Sequence, residues 1–301
     1  MTKKSINKLV TVFIIVFLII GSFIIRNYAQ PKQKSISVEM TLKNNDSDNI
    51  ITSINNSSSI KLLFDFKILS DVTNDAQIYL LHNFKPVSFK LNSSIYKESY
   101  NIKIVQSKEP LISRNNELYI DNLDSRVNDF CLLICFNNSI FTKRFQVINK
   151  NLPKVEANHV YLEVQRGNNI ERKTQYYLNV SKKPGDLIYL NDIVNNDTVK
   201  LSVSIENILK DLNLQRNEND EIIYAIVTLI NDGEIIEKPT FFKSRDNIFD
   251  VNIPFQIKNN YESLRFLIFP YAETFNSEYF GTYKAFLWSD PIKTQKIKKG
   301  D

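Results

Sequence analysis

From Ser35 onward the chain is written in short β-rich runs separated by polar breaks, and this pattern constrains its fold more than any other feature. Ser35–Leu42 (SISVEMTL) alternates apolar and polar residues at period two, as a strand with one covered face does. Ile60–Leu69 alternates in part, with Leu62, Phe64 and Phe66 on one side and Leu63, Asp65 and Lys67 on the other. Ile78–Leu81, Pro86–Leu91, Tyr100–Val105, Phe130–Phe136 and Ile140–Ile148 complete a first set of seven. A second set runs His159–Gln165, Gln175–Val180, Val199–Ile205, Ile222–Asn231, Asn247–Ile253, Leu264–Tyr271 and Tyr283–Trp288. Apolar residues rarely recur at helical spacing. One short helix is expected at Ile205–Leu214, where Leu209, Leu212 and the Glu206–Lys210 pair fit.

About seven short strands in about 115 residues predicts an immunoglobulin-like sandwich, and two sets predict two. Phe130–Phe136 (FCLLICF) is apolar on both faces, so it is expected to be a central strand covered from both sides. Asn149–Ala157 is polar, contains Pro153, and separates the sets. The expected domains are 31–150 and 151–301. Lys183-Pro184-Gly185-Asp186 predicts a turn and Asn231-Asp232-Gly233 a hairpin. Asn44–Ser59 is too polar for anything but a loop. A weak internal repeat aligns Tyr79–Asn83, Val87–Leu91, Tyr100–Val105 and Asn128–Phe136 with Tyr224–Asn231, Glu234–Glu237, Phe249–Ile253 and Glu262–Phe269.

Ahead of the strands, Leu9–Ile25 runs seventeen residues without a charge. At about 1.5 Å per residue a helix here reaches about 25 Å, and flanking Lys8 and Arg26 can snorkel to make up the rest of a bilayer core. A cleaved signal peptide fits less well, because Asn27 occupies the −3 position before the only nearby small residue, Ala29. The segment 1–30 is therefore expected to be an uncleaved signal-anchor, with Leu9, Ile14, Phe17, Ile20 and Ile25 in the membrane. The excess of lysines before the run places the N-terminus inside, and the body of this single-pass protein outside.

The sequence excludes several classes of chemistry. Residues 1–30 carry +4, residues 31–150 carry +3 and residues 151–301 carry −2, so the body lacks the basic footprint of a nucleic-acid binder. Six glycines leave no phosphate-cradling loop, and no nucleophile-elbow motif occurs. Cys131 and Cys135 share one face of a strand at about 13 Å, too far to bridge. They read as a metal or redox pair or, more simply, as two small core residues. His82 and His159 lack metal-ligand spacing. The carboxylates of Asp46–Asp48 and Glu218–Glu221 fit solvated loops better than a calcium loop. The basic tail Lys293–Lys299 can touch anionic polymer or headgroups, or simply be solvated. No cofactor and no metal are expected.

The anchor, the segments LLHNFKPVSFKL and NDFCLLICF, and the absence of structural cysteines resemble membrane-anchored surface proteins of Gram-positive bacteria with tandem immunoglobulin-like sandwiches. That resemblance implies a place at the cell surface and no activity.

The local feature best suited to recognition is Tyr271–Trp288, where Phe275, Tyr279 and Phe280 lie in a polar loop between Tyr271 and Tyr283. Aromatics there can contact a protein or envelope glycan, or fold back over the core. The expected function is extracytoplasmic binding or scaffolding without catalysis. The alternative is an envelope glycan hydrolase, which needs two carboxyl groups about 5–10 Å apart in a cleft.

Overall fold

The computed structural model describes residues 36–43, 50–53, 58–121, 123, 125–136, 139–153, 159–166, 177–180, 198–204, 221–231, 234–235, 238–246, 248–254, 262–270, 272, 287–288 and 292–293. The anchor, the expected helix at 205–214, the Lys183–Asp186 turn, Tyr271, residues 273–286 and the basic tail lie outside them, Lys293 excepted. Among the described residues no helix is long and apolar enough to cross a membrane.

Among the described residues ten strands build the first pair of sheets: β1 (Ile36–Leu42), β2 (Ile50–Ser53), β3 (Ile60–Ser70), β4 (Asn74–His82), β5 (Lys85–Val87), β6 (Lys90–Leu91), β7 (Ser99–Ile104), β8 (Leu111–Ile120), β9 (Val127–Phe136) and β10 (Ser139–Asn149). One sheet has the order β1-β3-β8-β6, all antiparallel. Its partner has the order β2-β10-β9-β4-β5, with β7 also on β4, and β2 runs parallel to β10. In immunoglobulin lettering these are A-B-E-D facing A′-G-F-C-C′.

The alternation in the sequence explains the packing. Leu62, Phe64 and Phe66 of β3 point inward and meet Ile78 and Leu80 of β4, Phe130, Leu132 and Ile134 of β9, and Phe145 of β10. On the outer face of the same sheet, Lys67 pairs with Glu39 at 3.5 Å, Lys61 with Glu117 at 2.5 Å, and Lys43 with Asp65 at 3.2 Å. These exposed pairs contribute little each.

Eleven further strands among the described residues build the second pair: β11 (Tyr161–Leu162), β12 (Val164–Arg166), β13 (Tyr177–Val180), β14 (Thr198–Ser204), β15 (Ile222–Ile230), β16 (Glu234–Ile235), β17 (Thr240–Ser244), β18 (Ile248–Pro254), β19 (Ser263–Pro270), β20 (Leu287–Trp288) and β21 (Ile292–Lys293). One sheet has the order β12-β18-β14-β13 and the other β11-β17-β15-β19-β20, with β16 on β15 and β21 on β19. The incoming chain lies along the edges of both: β11 runs parallel to β17, then β12 antiparallel to β18. Tyr224, Phe242 and Phe249 pack across this sandwich, with ring centroids 4.7–5.3 Å apart.

The all-β expectation therefore holds, with several corrections to individual elements. β8 was not expected, and neither were β2 and β17. The expected strand at Pro86–Leu91 divides at Ser88, with β5 in one sheet and β6 in the other. The internal repeat matches β4 to β15, β5 to β16 and β9 to β19, but its third member fails. β7 joins β4, whereas β18 lies in the opposite sheet of its own sandwich. The Asn231 hairpin is present, with Ile230 opposite Glu234.

Candidate functional site: the seam between the sandwiches and its groove

The centre of the outer face of the β9 sheet is covered, although Gln77, Asn101 and Lys103 toward its β7 edge are exposed. Cys131, Leu133 and Cys135 of β9, Tyr79 and Leu81 of β4, and Ile140 of β10 pack in one cluster with Ala225, Val227 and Leu229 of β15, Phe241 of β17, and Leu267 and Phe269 of β19. β9 thus has two covered faces, as its unbroken apolar sequence demands. Phe130, Leu132, Ile134 and Phe136 face their own sandwich, and the intervening residues face the other one. β15 does the same: Tyr224 and Ile226 point one way, Ala225 and Val227 the other. The four sheets consequently form four stacked layers.

A strained turn pins the seam. Asn83 and Phe84 connect β4 to β5 with φ of 49° and 66°. Two left-handed residues make the hairpin turn whose twist suits antiparallel strands, but a bulky aromatic there costs energy. Asn83 is held by β9: its N–H donates to the Asp129 carbonyl at 2.7 Å, and its Oδ1 accepts from the Asp129 N–H at 3.1 Å. Phe84 is only 3% exposed and sits against Phe269 at 5.5 Å and Phe241 at 6.2 Å, both from the second sandwich. Its burial offsets the strain of its backbone.

An ion pair stands beside this anchor. The Arg144 guanidinium donates through Nε to both carboxylate oxygens of Asp129, at 3.0 and 3.1 Å, and through Nη2 to Oδ2. Its Nη1 donates to the Pro270 carbonyl at 2.7 Å, across the seam. The Arg144 Cζ lies 5.1 Å from the centre of the Phe84 ring. The side chains of Arg144 and Asp129 are 6% and 5% exposed. Burial pushes the Asp129 carboxyl pKa up, while Arg144 and then His82 pull it back. Removing either member strands a buried charge.

At the mouth of the seam lies a groove of about 770 Å³. Among the described residues it is lined by Gln77, Tyr79, Lys85, Pro86, Ser88, Glu98 and Ser99 from the first sandwich and Glu234, Ile235 and Lys238 from the second. The Tyr79 hydroxyl donates to Gln77 Oε1 at 2.5 Å. Burial raises its pKa to about 12, and the nearby charge of Glu234 adds to the shift. Ser88 also borders a smaller hollow of about 340 Å³, with His82, Val87, Tyr96 and Asp121. There Tyr96 donates to Asp121, which raises the Tyr96 pKa to about 12.

The residues singled out in the sequence fall as follows. His82 stacks on Phe130 at 4.5 Å, with Nε2 2.9 Å from Asn128 Oδ1. His159 stacks on Phe241 at 3.6 Å. Cys131 and Cys135 are buried free thiols in the seam, and burial pushes the Cys131 pKa up. Among the described residues no three His, Cys, Asp or Glu side chains converge as a metal site. The aromatic loop with Phe275, Tyr279, Phe280 and Tyr283, and Tyr271 before it, lies outside the described residues. The sequence reading missed Phe84, Asp129, Arg144, Glu98 and Glu234.

No protein-family model and no curated protein matches the chain. Among solved structures it is similar to a chimeric titin Z1Z2 carrying an exogenous peptide from decorin, with 10% identity, coverage of 89% of this chain and 100% of that one, and a TM-score of 0.22. It is also similar to the serine-rich repeat protein Srr2 of Streptococcus agalactiae, with 7% identity, coverage of 89% and 96%, and a TM-score of 0.18. A third similarity is to a 1.5-MDa bacterial ice-binding adhesin, with 10% identity, coverage of 79% and 60%, and a TM-score of 0.18.

Proposed function

We propose that this chain is a membrane-anchored, extracytoplasmic binding or scaffolding module. The observation that carries the reading is the seam. Phe84 and the Asp129–Arg144–Pro270 link join two sandwiches into one stack, where a bare linker would leave them free to swing. A joined stack holds a recognition surface at a fixed distance from its anchor. Leu9–Ile25 is the segment suited to anchor it, and Phe275, Tyr279 and Phe280 are the aromatic residues suited to contact a partner.

Protease treatment of intact cells making the full chain tests this reading. The body is expected to be cleaved from whole cells while an N-terminal fragment stays with the membrane. A body that survives until lysis would overturn the placement. Replacing Phe275, Tyr279 and Phe280 with serine is expected to weaken capture of an envelope partner without moving Tm.

One observation favours a second reading, an envelope glycan hydrolase. Glu98 and Glu234 bring a carboxyl group from each sandwich to the same groove. Two carboxyl groups in a cleft are the minimum for glycoside hydrolysis. Release of reducing ends from cell-wall glycan, abolished by Glu98→Gln or Glu234→Gln, would select it.

A further inference from the structure

We propose that the seam groove is a binding site for a neutral oligosaccharide. This rests on reading the chain as a surface binding module, and it names the site and the ligand class. The volume, about 770 Å³, lies within the range of small-ligand clefts, about 300–1,000 Å³. Its lining decides the chemistry. Among the described lining residues Lys85 and Lys238 offset Glu98 and Glu234, a balance that favours neither an anionic polymer nor a cationic one. Among the described residues the apolar side chains of the lining are Pro86, Ile235 and the mostly buried Tyr79, interleaved with polar groups and not gathered into the deep apolar pocket that a lipid or an apolar peptide anchor fills. The remaining groups are hydroxyls, an amide, carboxylates and ammoniums, which together offer acceptors and donors to a ligand dense in hydroxyl groups.

A polypeptide is the competing occupant, and the local edge argues against it. Peptides that add to a sheet use the backbone ladder of an edge strand. Among the described residues three edge strands reach this groove: β5, on β4, containing Pro86, with no N–H to donate, beside Lys85; β16, two residues long, on β15; and the Ser99 end of β7, on β4, so the ladder open to a peptide is short as well as interrupted. Proline and lysine are the residues that blunt an edge. Recognition here falls to side chains. Because the walls come from both sandwiches, the groove exists only while the seam is closed.

The test uses the purified full chain in detergent on a printed panel. The panel holds neutral oligomers of β-linked glucose and of N-acetylglucosamine, with heparin and unstructured peptides as competing classes. Binding to at least one neutral oligomer is expected, with little change between low and high salt, since no counterions are released. Glu98→Gln with Glu234→Gln is expected to weaken it about tenfold or more at unchanged Tm, as for lost charged hydrogen bonds. Lys85→Ala with Lys238→Ala tests the donors if that variant fails to fold. Blindness to every neutral oligomer, binding that survives both double variants, or preference for heparin or peptides would overturn the proposal. A chain shaved from intact cells yet blind to neutral oligomers discards the groove and keeps the surface reading. A chain that binds oligomers yet resists shaving does the reverse.

Discussion

Phe84 carries two opposed terms at one position, and they can be separated by substitution. Its ring fills the seam, so Phe84→Ala is expected to cost about 3–5 kcal/mol. Its backbone has a φ of 66°, where a Cβ costs roughly 1–2 kcal/mol and glycine has none. Phe84→Gly is therefore expected to be no less stable than Phe84→Ala in urea unfolding, although it removes more side chain. Arg144 and Asp129 behave as a unit. Either Arg144→Ala or Asp129→Asn is expected to cost about 3–5 kcal/mol, while Asp129→Leu with Arg144→Met together is expected to cost less than either alone. Tyrosine titration reports on the groove and the adjoining hollow. Both Tyr79 and Tyr96 have pKa values raised to about 12, so the neutral phenol is the form the fold favours. Their stabilisation is complete below the ordinary tyrosine range near 10 and is lost as pH rises through about 12. Absorbance at alkaline pH is expected to show Tyr79 and Tyr96 ionising near pH 12 and not near 10. Tyr96→Phe should remove one tyrosine from the fraction that ionises near pH 12. At the acid end, Asp65 and Glu117 are held below the usual carboxylate range, by the Asn115 N–H and by Lys61 respectively. Their contribution is present above that range and falls away as pH drops through the lowered values.

At the scale of elements, β8 shows how a polar side chain can set register. Its pairing with β3 shifts between Phe64 and Phe66, and Asn115 takes a φ of 56° there. The buried Asn116 amide donates to the carbonyls of Phe64 and Ser113, at 3.1 and 3.0 Å, and its oxygen accepts from Asn92 at 2.8 Å. Asn116→Ala is expected to cost about 1–3 kcal/mol in equilibrium unfolding, because it leaves these groups without partners. The same strand shows why part of the fold was not legible. Leu111–Asn115 is exposed on both faces, so nothing forces the alternation that marks a strand. β17 is obscured by Pro239 immediately before it. β3 was legible because one face is covered and the other solvated, and β9 and β15 because both faces are covered. Of the seam, Phe130–Phe136 announced that something must cover it, but not what. Asp129 and Arg144 lie fifteen residues apart and meet only through the register that sets Cys131 opposite Arg144. Phe84 left one trace, an asparagine followed by a large apolar residue between two β-rich runs.

At the scale of the molecule, the outer faces of β9 and β15 cover each other, which fixes the two sandwiches and forms the groove between them. Cys131 and Cys135 are built-in reporters of this cover, because both point into the seam and away from the core of their own sandwich. Had the sandwiches been independent, that face of β9 would be open to reagent with both cores intact. The most direct test is the rate at which a thiol reagent labels the two cysteines of the native full chain, read as a mass shift. Neither thiol is expected to be labelled in native buffer. Both are expected to be labelled in Phe84→Ser, at a urea concentration where circular dichroism still reports full strand content. Prompt labelling of both thiols in the unsubstituted native chain would contradict a closed seam.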